Sequence, residues 1–317
     1  MMDMPPIFPA PRPRRPMGIL LAVTLLLAGC GTADNGSGGG GDDGGRLAVE
    51  ASFYPLQWMA EQVGGTHVSV SNLTKAGTEP HELELTPKAV AQLADADIVV
   101  YLSGFQPAVD DAVKNVGGTA FDASSSATLD RTFGNDTTGE EKPGSTDPHF
   151  WLDPSKLAAV ARAFAGTLAD QDPPHAKDYR ANATRLVAEL TDLDGEYEAA
   201  LSDCSAKDLV TSHEAFGYLA DRYGLEQVGI AGLTPEQEPS ATDLANVTKF
   251  VKQRKVRTIY FETLVSPAVA KTVAVEAGAR TAVLDPIEGL TDRTEGSDYL
   301  KVMRSNLKNL QAGQPCP

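Results

Sequence analysis

The strongest constraint on the fold is the alternation of short apolar segments with helical stretches. Segments such as 47–51, 98–102 and 255–261 have the length and apolar character of buried strands. Helical patterns separate them, for example over 54–63 and from about Pro267 onward. Strands that alternate with helices pair in parallel, so the sequence predicts an α/β fold whose sheets are flanked by helices on both faces.

One helical stretch is much longer than the others. Residues from about 176 to 201 keep apolar side chains at helical spacing. A helix of this length would be about 40 Å long, which is the size of a domain. Because strands and helices alternate both before and after it, we expect an N-terminal lobe over 46–174, a linking helix over 175–202 and a C-terminal lobe over 203–317.

Two loops indicate that the lobes share a topology. The segment Glu79-Pro80-His81 has a counterpart in Glu238-Pro239-Ser240, and each lies between a strand pattern and a helix pattern. A third segment, 122–146, is rich in Ser, Thr, Gly, Asp and Glu and is therefore predicted to be a mobile surface loop.

The N-terminal 29 residues resemble a lipoprotein signal peptide. Three arginines precede an apolar run over 17–28, which is too short for a permanent membrane helix. The sequence Leu-Ala-Gly-Cys then ends at Cys30, the predicted lipidation site and mature N-terminus. Residues 30–45 are Gly-rich and are predicted to form a flexible tether. An uncleaved hydrophobic anchor is the alternative, and both interpretations place the folded part outside the membrane.

The charge excludes some classes of partner. The chain has 27 Lys and Arg against 43 Asp and Glu, which gives a formal net charge of −16. Such acidity argues against nucleic-acid binding and against adhesion to anionic lipid through a basic surface. It is typical of an extracytoplasmic protein and would attract a cationic ligand.

Two cysteines remain if Cys30 carries lipid. Cys204 and Cys316 form an even pair in an oxidising compartment, which favours a disulfide between the C-terminal tail and the start of the second lobe. Two reduced thiols are the alternative.

The segment D-P-H-F-W-L-D-P at 147–154 predicts a stiffly held histidine. Proline fixes its own φ and pushes the residue before it into extended geometry, so both Asp-Pro steps should be non-helical. His149 would therefore lie on a short rigid segment backed by Phe150 and Trp151.

Three histidines and one aspartate share a structural context. Each lies at the end of a predicted strand or in a loop that opens a helix, and such loops meet at the carboxyl edge of α/β sheets. Three imidazoles and one carboxylate suit zinc. A structural role for each histidine is the alternative, although three of only five histidines share this context. The candidate ligands are His81, His149, His213 and Asp285.

Other polar residues have weaker claims. Glu262 follows an apolar strand and is either a rival for the fourth ligand position or a group that orients a histidine. His67 and His175 are interpreted as solvated surface residues.

The sequence does not favour catalysis. It contains neither the H-E-x-x-H pattern of zinc proteases, nor a G-x-S-x-G motif, nor a nucleotide-binding glycine loop. We therefore predict that the protein is not an enzyme. A zinc hydrolase, with water in place of Asp285, is an alternative from a different class.

Four segments resemble the zinc/manganese cluster of solute-binding lipoproteins of ABC transporters. This resemblance implies two α/β lobes joined by a rigid helix, with a metal ion clamped between them. It also implies that His81 and His149 bind from the first lobe, and His213 and Asp285 from the second. The matching segments are G-T-E-P-H-E-L-E-L-T-P at 77–87, D-P-H-F-W-L-D-P at 147–154, T-S-H-E-A-F-G-Y-L-A at 211–220 and L-D-P-I at 284–287.

The resemblance also implies the function. We expect a monomeric, lipid-anchored receptor on the cell membrane that binds Zn(II) and passes it to an ABC permease with its ATPase. In that family histidine at the position of His213 accompanies zinc, whereas glutamate accompanies manganese. The histidine-rich loop of many zinc members is missing here, and 122–146 offers only the acidic residues Asp136, Glu140 and Glu141. A manganese or iron receptor and a lipid-anchored adhesin are the alternatives.

Overall fold

The computed structural model describes residues 45–115, 117–132, 146–232, 235 and 238–316. The predicted signal peptide, the lipidation site Cys30 and the tether up to residue 44 lie outside these residues. The same is true of three acidic residues of the 122–146 segment, namely Asp136, Glu140 and Glu141.

The first lobe contains a four-stranded parallel sheet. Its strand order is β2-β1-β3-β4. The strands are β1 (Leu47–Ala51), β2 (Val68–Asn72), β3 (Ile98–Tyr101) and β4 (Thr119–Asp122). The helices are α1 (Tyr54–Gly64), α2 (Pro87–Asp95), α3 (Pro107–Val113) and α4 (Ser124–Ala127).

Two helices follow the first sheet and lead to the second lobe. These are α5 (Pro154–Gln171) and α6 (Ala176–Leu201). The helix α6 packs along α5, and it contacts α1 of the first lobe. Its apolar face is buried through Tyr179, Ala183, Leu186, Leu190, Leu193, Tyr197 and Leu201. The predicted linking helix is therefore confirmed, and its packing stabilises it.

The second lobe repeats the topology of the first. Its sheet is also parallel, with the strand order β6-β5-β7-β8. The strands are β5 (Asp208–Thr211), β6 (Glu226–Gly229), β7 (Thr258–Phe261) and β8 (Arg280–Val283). The helices are α7 (Gly217–Tyr223), α8 (Ala241–Arg254), α9 (Ala268–Ala277) and α10 (Tyr299–Gly313). The predicted fold class is confirmed.

Some elements were not expected from the sequence. The segment 122–146, predicted as a loop, includes the short helix α4. The strand β4 and the C-terminal helix α10 were also missed. The helix α10 contacts α6 and β8 through a buried face that includes Val302, Met303 and Leu310.

The lobes are joined by a shared core, and a disulfide closes the C-terminus onto the start of the second lobe. The indole Nε1 of Trp151 donates a hydrogen bond to the carbonyl of Pro286 at 2.7 Å, and the ring of Trp58 stacks on Tyr299. The predicted Cys204–Cys316 disulfide is present. Among the described residues, none of the helices has the length and apolar character that a membrane crossing requires.

Candidate metal centre

Asp147 holds His149, and Asp153 holds the end of the same segment. Asp147 Oδ1 accepts hydrogen bonds from the backbone N–H and the ring Nδ1 of His149, both at 2.9 Å. The second aspartate, Asp153, accepts from the backbone of Ser155 and so caps the start of α5. Between them, residues 150–152 form a buried 3-10 turn. The rigid segment expected from the sequence therefore fixes the ring and leaves Nε2 of His149 as the atom that can bind a metal ion.

His81 lies in the loop between β2 and α2. Its ring packs edge-on against Phe105 with the centroids 4.6 Å apart. The side chain of Gln106 donates to the carbonyl of Pro80, which ties this loop to the start of α3. The carboxylate of Glu79 accepts from the backbone N–H of His81. Burial, together with the charge of Glu288, raises the pKa of Glu79 to about 8.

His213 follows directly after β5 and is oriented by Glu262. The ring Nδ1 of His213 lies 2.7 Å from Glu262 Oε1, at the end of β7. The hydroxyl of Thr211 donates to the carbonyl of His213 at 2.6 Å, which holds the backbone of the loop. This contact is the one expected of a group that orients a histidine, which was the alternative to direct ligation by Glu262.

The three imidazoles converge on a fourth residue, Glu288. Its Oε1 lies 3.1 Å from Nε2 of His149, 3.3 Å from Nε2 of His81 and 3.6 Å from Nε2 of His213. All four side chains are buried, and one donor atom from each lies within 4.8 Å of the others. Four donor atoms this close together, two from each lobe, could hold a single metal ion between them.

Asp285, predicted as the fourth ligand, lies outside this group. Its Oδ2 accepts from the hydroxyl of Thr263 at 2.7 Å, and its Oδ1 accepts from the backbone N–H of Ile287 at 2.8 Å. Burial raises the pKa of Asp285 to about 6. The structure thus corrects the prediction: Asp285 shapes the loop after β8, and this loop carries Glu288 to the histidines.

Sequence reasoning missed Glu288 because it was guided by the Asp-Pro pattern. The sequence did contain a weaker signal for Glu288, because it is an acidic residue between the apolar residues Ile287 and Leu290 in the loop that also contains Asp285. The loop turns sharply there because Ile287 has a positive φ of 61°. This conformation is rare for a β-branched residue, and no residue pattern predicts it.

In the metal-free protein, each of the four buried groups has a shifted pKa, and its neighbours contribute to the shift. Burial by itself would lower the pKa of His149 and of His213, but nearby carboxylates raise both. Asp147 and Glu288 raise the pKa of His149, and Glu262 and Glu288 raise the pKa of His213. The pKa of Glu288 is far below its ordinary value, because hydrogen bonds from the histidines outweigh its burial. The pKa of His81 is lowered, chiefly by burial.

Two polar atoms at the centre lack protein partners. Within the described part of the chain, neither Nε2 of His213 nor Oε2 of Glu288 has a hydrogen-bond partner, although both are buried. Buried polar atoms are normally satisfied, so these atoms mark a position for a ligand. Three nitrogen donors and one carboxylate suit a divalent ion of the zinc type.

The two remaining histidines lie elsewhere. His67 and His175 stack on each other with their ring centroids 3.9 Å apart. Each faces one carboxylate, Asp178 at 3.2 Å from His67 and Asp172 at 2.6 Å from His175. They lie at the start of α6, partly exposed, and take no part in the metal centre.

Two α/β lobes with a shared sheet order, a long connecting helix and a buried set of donors from both lobes define a two-lobed metal-binding protein. The family model described as "Zinc-uptake complex component A periplasmic", abbreviated ZnuA, matches residues 49–313. The chain belongs to this family.

Curated relatives agree with this assignment. The chain is 38% identical over 287 residues to the zinc-binding protein AdcA of Streptococcus pyogenes serotype M6, which covers 84% of this chain and 56% of AdcA. It therefore spans about half the length of the AdcA proteins it matches. It is also 36% identical over 304 residues to the high-affinity zinc uptake system protein ZnuA of Bacillus subtilis, which covers 92% of this chain and 95% of that protein.

Solved structures share the fold. The Zn(II)-bound ZnuA-like domain of Streptococcus pneumoniae AdcA is 36% identical, with a TM-score of 0.71 over 86% of this chain and 100% of that chain. The laminin-binding protein Lmb of Streptococcus agalactiae, described as bifunctional with adhesin and metal-transporting activity, is 34% identical. Its TM-score is 0.76 over 84% of this chain and 99% of that chain.

Proposed function

We propose that this protein is an extracytoplasmic zinc receptor that delivers Zn(II) to an ABC-type import permease and its ATPase. The observation that carries the proposal is the buried set of three imidazoles and one carboxylate between the two lobes. The names of the relatives support it, since AdcA is described as zinc-binding and the Bacillus subtilis ZnuA as a zinc uptake protein.

The proposed ligands come in equal number from the two lobes. In this proposal His81 and His149 bind from the first lobe and His213 and Glu288 from the second, each histidine through Nε2. Asp147 and Glu262 accept from Nδ1 of their histidines and so fix the rings with Nε2 toward the ion.

The donor set favours zinc over manganese. Imidazole nitrogen suits zinc, whereas manganese prefers carboxylate, carbonyl and water oxygens. Three of the four donors here are imidazoles. Four protein donors also complete a tetrahedral zinc shell without a reactive water, which is the arrangement of a binding site and not of a hydrolase.

The location and partners follow from the same proposal. Cleavage before Cys30 and lipidation of that residue would anchor a monomeric receptor outside the cell membrane, with residues 31–45 as a tether. The description of a Streptococcus pneumoniae AdcA as a zinc-binding lipoprotein supports this part. Release of the ion to the permease would require one lobe to move, because the four donors are divided between the lobes.

The metal content of the purified protein tests the proposal. The protein would be purified without added metal, analysed for its elements, and titrated with zinc in competition with manganese. We expect one zinc per chain that an excess of manganese does not displace. Stable manganese occupancy, or the absence of any tightly bound metal, would contradict the proposal.

A further inference from the structure

Asp147 uses only one oxygen to hold His149. Its other oxygen, Oδ2, is buried and has no hydrogen-bond partner within the described part of the chain. The nearest positive charge is Nε of Arg131, at 3.4 Å. A buried carboxylate is costly unless a charge or hydrogen bonds compensate it, so Arg131 offsets part of the cost of burying Asp147 behind His149.

Arg131 also binds the second lobe. Its Nη1 lies 2.5 Å from Oδ2 of Asp221, a residue of α7. The backbone N–H of Arg131 donates to the hydroxyl of Tyr218 on the same helix at 3.3 Å. Arg131 therefore connects the carboxylate behind one metal donor to the opposite lobe, through an ion pair that is partly exposed to solvent.

Glycine at the start of α7 allows this contact. A Cβ atom at Gly217 would lie 2.1 Å from Nε of Arg131 and 2.5 Å from Oδ2 of Asp147. No side chain fits at such distances. The helix thus approaches the Arg131–Asp147 pair as closely as a backbone can, and the approach depends on the absence of a side chain.

Within the first lobe, backbone contacts also hold Arg131 next to Asp147. The N–H of Asp147 donates to the carbonyl of Arg131 at 3.0 Å, and Thr132 and Thr146 form an isolated antiparallel bridge. Main-chain contacts therefore hold Arg131 beside Asp147 in addition to their side-chain ion pair.

We propose that Arg131 is a positioning residue of the metal centre, which holds Asp147 and through it His149, and which makes metal retention depend on contact between the lobes. The inference rests on the proposed zinc-binding function. Zinc and the Arg131–Asp221 ion pair both join the first lobe to the second. By thermodynamic linkage, whatever weakens one of these connections weakens the other.

The first test compares Arg131→Gln, Arg131→Lys and the unsubstituted protein. Arg131→Gln removes the charge but keeps most of the side-chain length, and we expect zinc affinity to fall about tenfold, as for other groups that orient a ligand. Arg131→Lys restores a positive charge and is expected to recover most of this loss. Arg304→Gln is the matched control, since Arg304 is a partly exposed arginine of α10 that pairs with Glu196 of α6 at 2.9 Å.

A spectroscopic measurement distinguishes positioning from a general loss of stability. Cobalt(II) binds nitrogen and oxygen donors, and its visible absorption reports the donor arrangement. We expect the spectrum of cobalt-loaded Arg131→Gln to change, and the spectrum of Arg304→Gln to match that of the unsubstituted protein.

Asp221→Asn tests the connection between the lobes. This variant keeps the contact of Arg131 with Asp147 and removes only the exposed ion pair. The zinc dissociation rate should rise about two- to fivefold, the range of a surface ion pair. High salt should raise the rate of the unsubstituted protein toward that of the variant, because salt screens exposed charges.

The outcomes separate this inference from the proposed function. If the unsubstituted protein binds zinc and Arg131→Gln matches it in affinity and cobalt spectrum, the inference is overturned while the proposed function stands. An equal loss of affinity in Arg304→Gln would also overturn it. If the unsubstituted protein binds no zinc, the proposed function is refuted and the inference falls with it.

Discussion

The two lobes have the same strand order, but they contribute residues to the metal centre from different loops. In the first lobe, the loop after β2 contains Glu79-Pro80-His81, and His81 faces the centre. In the second lobe, the matching loop after β6 contains Glu238-Pro239-Ser240. Ser240 does not reach the centre, and instead caps α8 by accepting from the backbone of Asp243. Equivalent positions in the topology thus have different chemical roles.

The second lobe brings a histidine to the centre from another strand. His213 follows β5, whose counterpart in the first lobe is β1, and β1 is followed by Ser52 and Phe53. Phe53 packs against Trp151 instead. The shared topology brings the carboxyl ends of both sheets to one place, and individual residues then decide which loops bind the ion.

The largest expected effect distinguishes the two matching loops. His81→Ala should weaken zinc binding about 100- to 1000-fold, since four donors share a binding free energy of about 10–16 kcal/mol in structural zinc sites. Ser240→Ala should leave zinc affinity unchanged and cost about 1 kcal/mol of unfolding free energy, through loss of the helix cap. Zinc competition titration and chemical denaturation of both variants measure these quantities. Equal zinc affinities would contradict the distinction.

The second prediction concerns the effect of pH on the three histidines. The pKa values of His149 and His213 are raised in the metal-free protein, so protons compete with zinc for these two rings at a higher pH than for an ordinary histidine. Zinc affinity should therefore fall as the pH is lowered, by about tenfold per pH unit for each displaced proton. His81, with its lowered pKa, should contribute nothing until the pH is lower still.

Titrations of zinc across the neutral and mildly acidic range measure this dependence. Glu262→Gln provides the comparison, because it removes a negative charge that raises the pKa of His213. Its affinity should depend less steeply on pH. An affinity that does not change with pH would show that no imidazole exchanges a proton for the metal.

The third prediction compares the carboxylates that orient one histidine in each lobe. Asp147→Asn and Glu262→Gln should each weaken zinc binding about 10- to 100-fold, as expected for groups that fix a ligand ring. Each variant keeps the size of the side chain but loses the charge. Affinity and cobalt spectra of the two variants check this, and an effect confined to one lobe would show that the rings are not held equivalently.

The smallest expected effect on zinc affinity comes from removing the disulfide, which joins two residues of the second lobe. Replacing Cys204 and Cys316 by serine should lower the unfolding free energy by about 5 kcal/mol on the chain-entropy model. The bond lies at the start of the second lobe, before β5, while His213 follows the opposite end of that strand. Zinc affinity should stay within about twofold. A large loss of affinity would show that the tail shapes the centre.

The sequence was most informative where local rules decide the structure. The helix α6 and strands such as β1 follow directly from apolar periodicity. The Asp-Pro steps around His149 predict a rigid segment, and the structure shows that Asp147 and Asp153 provide that rigidity. These features depend on neighbouring residues, which a sequence displays.

The sequence was least informative where a loop must be traced in three dimensions. Asp285 and Glu288 are three residues apart, and only the turn at Ile287 decides which of them reaches the histidines. The role of Arg131 depends on contact with the other lobe across 90 residues of sequence. The strand β4 has the sequence T-A-F-D, which is too short and too polar to be recognised.

The most direct test of the account is an anomalous-scattering map at the zinc absorption edge from a crystal of the zinc-loaded protein. We predict one strong peak between the lobes, about 2.0–2.2 Å from Nε2 of each of three histidines and from a carboxylate oxygen of Glu288. These histidines are His81, His149 and His213. A peak bound by Asp285 in place of Glu288, or a peak outside this group of residues, would contradict the account.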